Sequence, residues 1–302
     1  NRKKAIETAI KELEPHEILL VAGKGHEQTQ DYGKRVLNFS DKKVIKTIIK
    51  KRKFYYKKNY WSKFILQKTF ENNNLENIDY NGVSINSKNI KKNNLFFAIK
   101  GKNKDGHMFV KEALKKGAIK SVVSKKLKQI SSNKVIKVKN TFSSLNHLGK
   151  ITRDYSSAEI IGITGSVGKT TLKKLISFAL NNYGKVYKSP HSYNNKFGVP
   201  LSLANLKKNA DYGVFEIGMS KKGEINSLSK IVKPEIAVIT NISEAHIENF
   251  NTLKDIAKAK AEIIDNILEG GNIILNKDSK FFAFLSNKAK KKGINIISFS
   301  SK

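Results

Sequence analysis

The 302-residue sequence contains no cysteine, two methionines and only four arginines. Without cysteine, the chain can form neither a disulfide framework nor a thiolate metal site, which suits a reducing cytoplasm. No window approaches the run of about 18 apolar residues that a membrane helix needs. The basic start at Asn1 is not followed by the apolar core of a signal peptide. We therefore expect a cytoplasmic protein with no membrane segment. Because the two methionines are Met108 and Met219, far from Asn1, we also expect that the natural N-terminus lies upstream of Asn1.

The scarcity of arginine also bears on the charge of the chain. Lysine and arginine together number 58 against 25 acidic residues, which gives a net charge of +33. Such an excess first suggests a nucleic-acid partner, because basic side chains neutralise phosphates and release counterions. Nucleic-acid recognition favours the arginine fork, however, and here lysines are spread through every segment. We therefore expect solvated lysine faces and no nucleic-acid partner.

The first half of the chain predicts two short units joined by a basic linker. Residues 1–53 contain a predicted helix at Lys4–Leu13, a buried strand at Glu17–Ala22 and a second helix from Asp41. The basic stretch Lys50–Lys58 is interpreted as the linker. The second unit, residues 54–157, has a predicted helix at His107–Lys116 among four short apolar runs at 82–85, 95–99, 121–124 and 135–138.

From residue 158 to residue 302, predicted strands alternate with amphipathic helices. This alternation is typical of βαβ units with a mostly parallel sheet covered on both faces. The fold class is therefore α/β, and ligands are expected at the carboxyl ends of the strands. The predicted strands are 159–164, 212–217, 235–240, 272–275 and 295–299.

A phosphate-binding loop follows the first of these strands. The run from Gly162 to Thr171 reads Gly-Ile-Thr-Gly-Ser-Val-Gly-Lys-Thr-Thr and opens the predicted helix at Thr171–Leu180. Glycines let the backbone wrap a phosphate, and a lysine and a hydroxyl at the next two positions are suited to the phosphates and to Mg²⁺ of a nucleoside triphosphate. The outer glycines of this loop, Gly162 and Gly168, enclose one residue more than those of the usual P-loop pattern. The candidate ATP-binding residues are Gly165, Ser166, Gly168, Lys169, Thr170 and Thr171.

Two further side chains are expected at the same edge of the sheet. Glu216 ends an apolar strand, where a Mg²⁺ ligand or a water-orienting carboxylate belongs, and His246 follows the next strand. Carboxylates often end strands, and a histidine in such a loop is more often structural than a ligand. Their role depends on whether they meet Thr170 at one site.

Lys260 lies in the middle of an apolar helical stripe. In the predicted helix Leu253–Leu268, Lys260 follows Ile256 by four residues and precedes Ile263 by three. Burial would lower the pKa of its ammonium and make a neutral amine available for chemistry such as carbamylation by CO₂. A lysine that snorkels to the edge of the core explains the same spacing.

Several further motifs occur in the order and spacing of a known family, at 82–88, 95–101, 105–109, 193–200, 215–218, 240–248 and 259–262. On these motifs, residues from about 60 to 302 resemble the Mur ligases, most closely the branch that adds D-alanyl-D-alanine to UDP-N-acetylmuramoyl-tripeptide. The resemblance implies that ATP activates the tripeptide carboxylate as an acyl phosphate, which the amine of D-alanyl-D-alanine then attacks. It implies Mg²⁺ at Thr170, Glu216 and His246, a carbamylated Lys260, and Lys169 on the phosphates. It further implies substrate contacts from Ser87, Lys88, Asn194 and Asn195, a nucleotide contact from Asn276, and a monomer.

Residues 1 to about 50 resemble a different part of the family, the C-terminal end of the branch that adds the third amino acid. The match runs from Leu20 to Glu27, Leu-Val-Ala-Gly-Lys-Gly-His-Glu. It implies that Gly23 and Glu27 help to bind an incoming amino acid. The turn by itself fits any tight loop equally well, and an in-frame fusion of two pathway enzymes is the simplest explanation.

The sequence departs from the family pattern in its substrate motifs more than in its ATP motifs. The family's usual Asp-Ser-Arg is Asn86-Ser87-Lys88 here, and Ser192, Lys196 and Ser243 replace other family residues. The resemblance also implies that the sequence stops inside the nucleotide domain, so we expect this polypeptide to bind nucleotide weakly and to ligate poorly. A sister Mur or folylpolyglutamate-type ligase, a basic P-loop protein that uses ATP as a switch on nucleic acid, and a non-catalytic remnant are the alternatives.

Overall fold

The computed structural model describes residues 2–12, 18–23, 27, 29–31, 33, 36–52, 58–70, 75, 78–101, 103–244 and 249–301. The chain divides into two compact units, Asn1–Trp61 and Ser62–Lys302. The predicted boundaries at residues 53 and 157 stay a prediction. None of the described helices is both long and apolar enough to cross a bilayer.

The first unit packs two helices through a small aliphatic core. Helices α1 (Arg2–Glu12) and α2 (Asp41–Arg52) meet at Ile6, Ile10 and Ile48. Two short strands that were not predicted, β1 (Thr29–Asp31) and β2 (Val36–Asn38), form an antiparallel pair. The side chain of Arg2 binds both carboxylate oxygens of Asp41, at 2.9 and 2.6 Å, and so ties the start of α1 to the start of α2.

The predicted strand at Glu17–Ala22 is wrong over its described part. Residues 18–22 form no strand, and Ile18 and Leu20 are 94% and 85% exposed. Leu19 and Val21 pack against the core between α1 and α2 instead. A strand needs a neighbour for its backbone groups, and in the described part of this unit the two strands pair only with each other.

The second unit begins with a four-stranded parallel sheet. Its strands are ordered β3-β4-β5-β6, and all four match predicted apolar runs. Phe96, Phe97 and Val122 are completely buried in them, as expected of parallel strands covered on both faces. The elements are α3 (Lys58–Phe70), β3 (Gly82–Ser84), β4 (Asn94–Phe97), α4 (Val110–Lys115), β5 (Ala118–Val123), β6 (Val135–Lys137) and α5 (Thr141–Asp154), with 3₁₀ turns at Ser87–Asn89, Gly106–Phe109 and Ser132–Lys134.

A six-stranded sheet in the same unit carries the phosphate loop. All its strands are parallel, in the order β12-β11-β10-β7-β9-β8. The predicted strands are confirmed within two residues at each end, whereas β8 was not predicted. The elements are β7 (Glu159–Thr164), α6 (Lys169–Leu180), β8 (Val186–Lys188), α7 (Gly198–Ala204), β9 (Tyr212–Glu216), α8 (Glu224–Val232), β10 (Ile236–Ile239), α9 (Leu253–Lys260), β11 (Asn272–Asn276), α10 (Phe282–Lys291) and β12 (Asn295–Phe299).

The strand order determines where a ligand can bind. The chain leaves β7 towards β8 and β9 on one side and later adds β10, β11 and β12 on the other. This reversal opens a crevice at the carboxyl ends of the central strands, where α/β proteins bind their ligands. The phosphate loop follows β7 directly, so the fold places it at this crevice.

Polar contacts fix the smaller sheet to the larger one. The side-chain amide of Asn205, just after α7, accepts a hydrogen bond from Val83 N at 2.9 Å and donates one to Val83 O at 3.0 Å. The buried Arg153 on α5 donates to the carbonyl oxygens of Val232 and Lys233 and, at 2.7 Å, to Oε1 of Glu235. These bonds hold the two sheets in one compact unit.

Candidate active site

The phosphate loop requires glycine because it passes close to a neighbouring strand. Gly165 has a φ of +148°, and a Cβ atom placed on it would lie 1.9 Å from Oγ1 of Thr240. Gly168, with a φ of +83°, immediately precedes α6. The hydroxyl of Thr240 donates to Val167 O at 2.6 Å. Any side chain at Gly165 would therefore collide with the residue that fastens the loop.

Ser166 fastens the loop as well. Its backbone N–H donates to Asn241 O at 2.8 Å, and its hydroxyl donates to Ser243 O at 2.8 Å while accepting from Ser243 N at 3.0 Å. Ser166 was predicted as an ATP-binding residue. The structure uses its side chain to hold the loop in shape, which leaves the loop backbone to meet a ligand.

The ammonium of Lys169 lies over its own loop. It donates to the carbonyl oxygens of Gly165 at 2.8 Å and Ser166 at 3.2 Å. Burial lowers the pKa of Lys169, and the negative charge of Glu216 opposes that shift. A lysine held at the start of a helix, among glycines in positive φ, is the arrangement that binds phosphate in P-loops.

Glu216 is the centre of the site. Its side chain, at the end of β9, is only 2% exposed. Oε2 accepts a hydrogen bond from Thr170 Oγ1 at 2.8 Å and from Lys173 Nζ at 3.3 Å, while Oε1 accepts from Asn194 Nδ2 at 2.8 Å. The structure therefore brings the predicted residues Thr170, Glu216 and Asn194 together.

Lys173 was missed by the sequence analysis. It lies one helical turn after Lys169 and is 2% exposed. In the structure, Lys173 shares the inward face of α6 with the buried Ser177 and lies between the half-buried Leu172 and Ile176, whereas its neighbour Lys174 is exposed. In a chain so rich in lysine, nothing distinguishes this residue before the helix is packed on the sheet.

Asn195 has a different role from its neighbour Asn194. Its side-chain oxygen accepts hydrogen bonds from Phe197 N and Gly198 N, both at 3.0 Å, and so closes the turn that leads into α7. Asn195 is exposed. The structure thus places Asn194 on Glu216 and leaves Asn195 at the surface, where its amide nitrogen remains accessible to a ligand.

Lys260 is buried, which excludes the snorkelling alternative. It is the last residue of α9 and is 2% exposed. The predicted helix Leu253–Leu268 is wrong in its second half, because residues 261–266 form a 3₁₀ turn after Lys260. Burial, and next the positive charge of Lys169, lower the pKa of Lys260 to about 7. A substantial fraction of this amine is therefore neutral near physiological pH.

The predicted metal ligands are only partly described. Thr170 and Glu216 offer two oxygens 2.8 Å apart, and oxygen is the ligand type that Mg²⁺ prefers, usually one or two carboxylates together with substrate phosphates. His246 falls in the stretch 245–248, outside the described residues. Over the described part of the chain, no three His, Cys, Asp or Glu side chains cluster as a metal site. The residues therefore fit a cation held jointly by the protein and a phosphate ligand.

A pocket of about 430 Å³ lies beside the loop, at the carboxyl ends of β10 and β11. Thr240 and Asn241 in its wall also hold the phosphate loop. Asn276, predicted as a nucleotide contact, lines the pocket, and its Oδ1 accepts from Asp278 N at 2.8 Å. The full lining is Ile239, Thr240, Asn241, Ile242, Asn276, Asp278, Ser279, Lys280 and Leu285.

The predicted substrate residues Ser87 and Lys88 lie in the 3₁₀ turn that follows β3. Ser87 is buried and donates to Oε2 of Glu112 at 2.8 Å, whereas Lys88 is exposed. Over the described residues, no hydrogen bond joins either of them to the phosphate loop. Gly23 and Glu27 belong to the first unit, where both are exposed.

Family models match two regions of the chain. Residues 163–302 match the Mur ligase middle domain, and residues 79–152 match the catalytic domain of the Mur ligase family. The matched regions begin at residue 79, so the separate resemblance of residues 1 to about 50 stays a prediction.

Individual relatives point to one branch of this family. The UDP-N-acetylmuramoyl-tripeptide–D-alanyl-D-alanine ligase of Rickettsia prowazekii is 40% identical over 74% of this chain and 49% of its own length. A crystal structure of MurF from Acinetobacter baumannii superimposes with a TM-score of 0.70 at 30% identity, covering 79% of this chain and 52% of that one. MurF from Thermotoga maritima, crystallised with ADP, has a TM-score of 0.64 at 31% identity over 75% and 52%. The chain thus spans about half the length of these relatives.

Proposed function

The chain belongs to the Mur ligase family, and from that premise we propose that it acts as an ATP-dependent amide ligase that joins D-alanyl-D-alanine to UDP-N-acetylmuramoyl-tripeptide in peptidoglycan synthesis. One observation carries the proposal. The phosphate loop and the Thr170–Glu216 pair at 2.8 Å lie at one edge of the sheet, and the buried Lys260, from a separate segment, is close enough to Lys169 for their charges to interact. Such a site is suited to phosphoryl transfer from ATP to a carboxylate.

The phosphates of ATP would bind at the loop. The N-terminus of α6 offers free N–H groups and the positive end of the helix dipole. Lys169 would exchange its bonds to the carbonyls of Gly165 and Ser166 for phosphate oxygens, which are stronger, charged acceptors. The nucleoside would occupy the neighbouring pocket lined by Asn276. A relative in the same family was crystallised with ADP, which supports this assignment.

Mg²⁺ would be held by Thr170 Oγ1 and by Glu216, with His246 as a further predicted ligand. When bound, the ion neutralises the charge that develops on the transferring phosphoryl group. Glu216 is suited to this role because β9 fixes its backbone and three donors fix its carboxylate. Thr170 needs only to turn its hydroxyl so that a lone pair, and no longer its proton, faces the ion.

Lys260 would be carbamylated by CO₂. Its neutral amine donates an electron pair to the carbon of CO₂, a nitrogen–carbon bond forms, and one proton leaves to solvent. The product is an anion, so the repulsion between Lys260 and Lys169 would become an attraction. A buried anion facing the phosphate loop is well suited to orient Lys169 and the metal.

The reaction itself would proceed in two steps. The terminal carboxylate of the tripeptide attacks the γ-phosphorus of ATP, which releases ADP and forms an acyl phosphate. The amine of D-alanyl-D-alanine then attacks the acyl carbon and releases phosphate. Asn194 and Asn195 lie on the Glu216 side of the site and are proposed to meet the substrate there. Ser87 and Lys88 are proposed to contact the UDP-sugar portion of the tripeptide substrate.

The remaining assignments rest on sequence resemblance. We propose a cytoplasmic monomer with no nucleic-acid partner. Its three domains would comprise residues 1–53, 54–157 and 158–302. The first segment would be a fragment of a sister ligase, with Gly23 and Glu27 at an amino-acid site. A sister Mur or folylpolyglutamate-type ligase remains the alternative enzyme, and a basic P-loop switch on nucleic acid remains the alternative from another class.

The decisive experiment is phosphate release from ATP by the protein expressed from its complete reading frame. We expect release only when UDP-N-acetylmuramoyl-tripeptide and D-alanyl-D-alanine are both present. Release that does not depend on both substrates would contradict the ligase assignment. Tight DNA binding at about 50 mM salt, where phosphate contacts are strongest, would favour the switch alternative.

A further inference from the structure

Lys173 is a buried ammonium beside Glu216 that takes part in no step of the proposed reaction. Its side chain is 2% exposed, as is that of Glu216, and its Nζ lies 3.3 Å from Oε2 of that carboxylate. Burying an ammonium is costly unless it is paired and hydrogen-bonded. Lys173 meets that condition with two acceptors, because it also donates to the carbonyl oxygen of His191.

The second acceptor belongs to the segment that joins β8 to α7. His191 has a φ of +43°, in the left-handed region that residues other than glycine seldom adopt. Three residues later, Asn194 donates to the other carboxylate oxygen, Oε1 of Glu216. The segment is therefore attached to the carboxylate of Glu216 twice, directly by Asn194 and through Lys173 by His191.

Lys173 and Thr170 approach the same carboxylate oxygen from one helix. Both residues lie on α6, three positions apart, so they share one face, and both donate to Oε2. A carboxylate oxygen has more than one lone-pair direction, so the bond from Lys173 can persist when Thr170 turns its hydroxyl towards a cation. The ammonium thus holds Oε2 in place without occupying the position of the metal.

We propose that Lys173 is a positioning residue, which fixes Glu216 and the segment 189–195 so that Oε2 stays beside Thr170 Oγ1 as a preformed pair of metal ligands. This inference rests on the proposed function, since it concerns the cation that accompanies the nucleotide. Partners that orient a metal ligand typically contribute a factor of about 10 to 100 in metal affinity. We expect loss of the Lys173 ammonium to lower metal affinity by the same factor.

The test measures Mn²⁺ binding, by electron paramagnetic resonance of the free ion, to the full chain with a non-hydrolysable ATP analogue. Lys173→Met should weaken Mn²⁺ binding by about 10- to 100-fold and should leave binding of the metal-free analogue nearly unchanged. Lys174→Met, at the exposed neighbouring position, is the matched control. Lys173→Arg, which retains a cation, should recover part of the loss.

A merely structural role would give a different pattern. If Lys173 acts through Glu216, Lys173→Met should have no further effect on Mn²⁺ affinity in a Glu216→Gln background. Equal losses in both backgrounds, or an unchanged affinity in a variant that circular dichroism shows to be folded, would overturn the inference. Failure of the unmodified chain to bind Mn²⁺ with the analogue would instead count against the proposed function.

A metal-free readout keeps the inference testable in that case. The side-chain amide of Asn194 should give a distinct pair of NMR signals, because it is bonded to a buried carboxylate. Lys173→Met should shift and broaden this pair, whereas Lys174→Met should not. Unchanged Asn194 signals in Lys173→Met would overturn the positioning role without reference to metal or nucleotide.

Discussion

The hydroxyl of Thr170 donates a 2.8 Å hydrogen bond to Oε2 of Glu216, and so joins the first turn of α6 to the end of β9. The two residues are 46 positions apart in the sequence. Their contact places two oxygens side by side next to the phosphate loop, and we propose that this pair binds the cation that accompanies the nucleotide.

Thr170→Val should weaken Mg²⁺-dependent binding of an ATP analogue by about 10- to 100-fold, because valine keeps the shape of threonine but offers no oxygen. Isothermal titration calorimetry with and without Mg²⁺ measures the effect. Thr170→Ser, which keeps the hydroxyl, should bind within a few-fold of the unmodified chain. If valine and serine weaken binding equally, the hydroxyl is not a ligand.

Gly165→Ala should both destabilise the protein and abolish nucleotide binding. The new methyl group would lie 1.9 Å from Oγ1 of Thr240, in a backbone conformation that alanine seldom adopts. We expect a loss of about 2 kcal/mol or more in the free energy of unfolding, measured by urea denaturation. Gly223→Ala is the control, because Gly223 also has a positive φ but nothing lies within 4 Å of its added Cβ. A loss no larger than that of Gly223→Ala would show that the close approach to Thr240 is unimportant.

Carbamylation of Lys260 should rise with pH around neutrality. The pKa of this lysine is lowered to about 7, so the reactive neutral amine is scarce at pH 6 and predominant at pH 8. With ¹³C-labelled CO₂ at a fixed dissolved concentration, the initial rate at which a carbamate NMR signal appears should follow the neutral amine, with a midpoint near pH 7. Lys260→Met should lack the signal, and Lys258→Met, at an exposed position, should retain it. A midpoint near the ordinary lysine value would contradict the effect of burial.

The same pKa shift has a consequence for stability. Between about pH 7 and the ordinary lysine pKa of 10.5, the unfolded chain binds more protons at this position than the folded chain. The free energy of unfolding therefore gains a contribution that increases with pH in this window. Urea denaturation should show the unmodified chain gaining stability relative to Lys260→Met from pH 7 to pH 9. A difference that stays constant over this range would count against the shift.

Arg153→Met should cost about 3 kcal/mol of unfolding free energy, because it removes the guanidinium that pairs with Glu235 and leaves two carbonyl oxygens unpaired. Arg153→Lys should recover little, since an ammonium cannot reproduce the geometry of the fork. Lys150→Met, at an exposed position on the same helix, should change stability by less than about 0.5 kcal/mol. Urea denaturation of the three variants measures these differences, and full recovery with lysine would contradict the explanation.

All strands of the two parallel sheets except β8 could be predicted from sequence, because each is a short apolar run between turns. The segment 18–22 has the same appearance, yet it forms no strand. Pairing depends on a neighbouring backbone, and a single-sequence pattern contains no information about the neighbour. The short strand β8 could not be predicted because it is not an apolar run, and its residues are only partly buried or exposed. Only its pairing with β9 makes it a strand.

Some residues of the candidate site could likewise be predicted from the sequence, and others could not. The phosphate loop could be predicted because its residues are contiguous, and Lys260 because helical spacing places it on an apolar stripe. Lys173 could not be identified, since nothing in the local sequence separates it from the exposed Lys174. Its role follows from the packing of α6 on β9, which brings Glu216 to it from 43 residues away.

By itself, the sequence determined the α/β class, the phosphate loop and the position of Lys260 on an apolar helical stripe, because local periodicity and contiguous motifs encode these features. Only the tertiary structure decided which side chains surround Glu216, that Ser166 fastens the loop, and that Asn194 and Asn195 have separate tasks. The physical reason is that a buried carboxylate must be satisfied by whatever donors the packed elements bring to it. Those donors come from α6 and from the segment before α7, and only folding makes them neighbours.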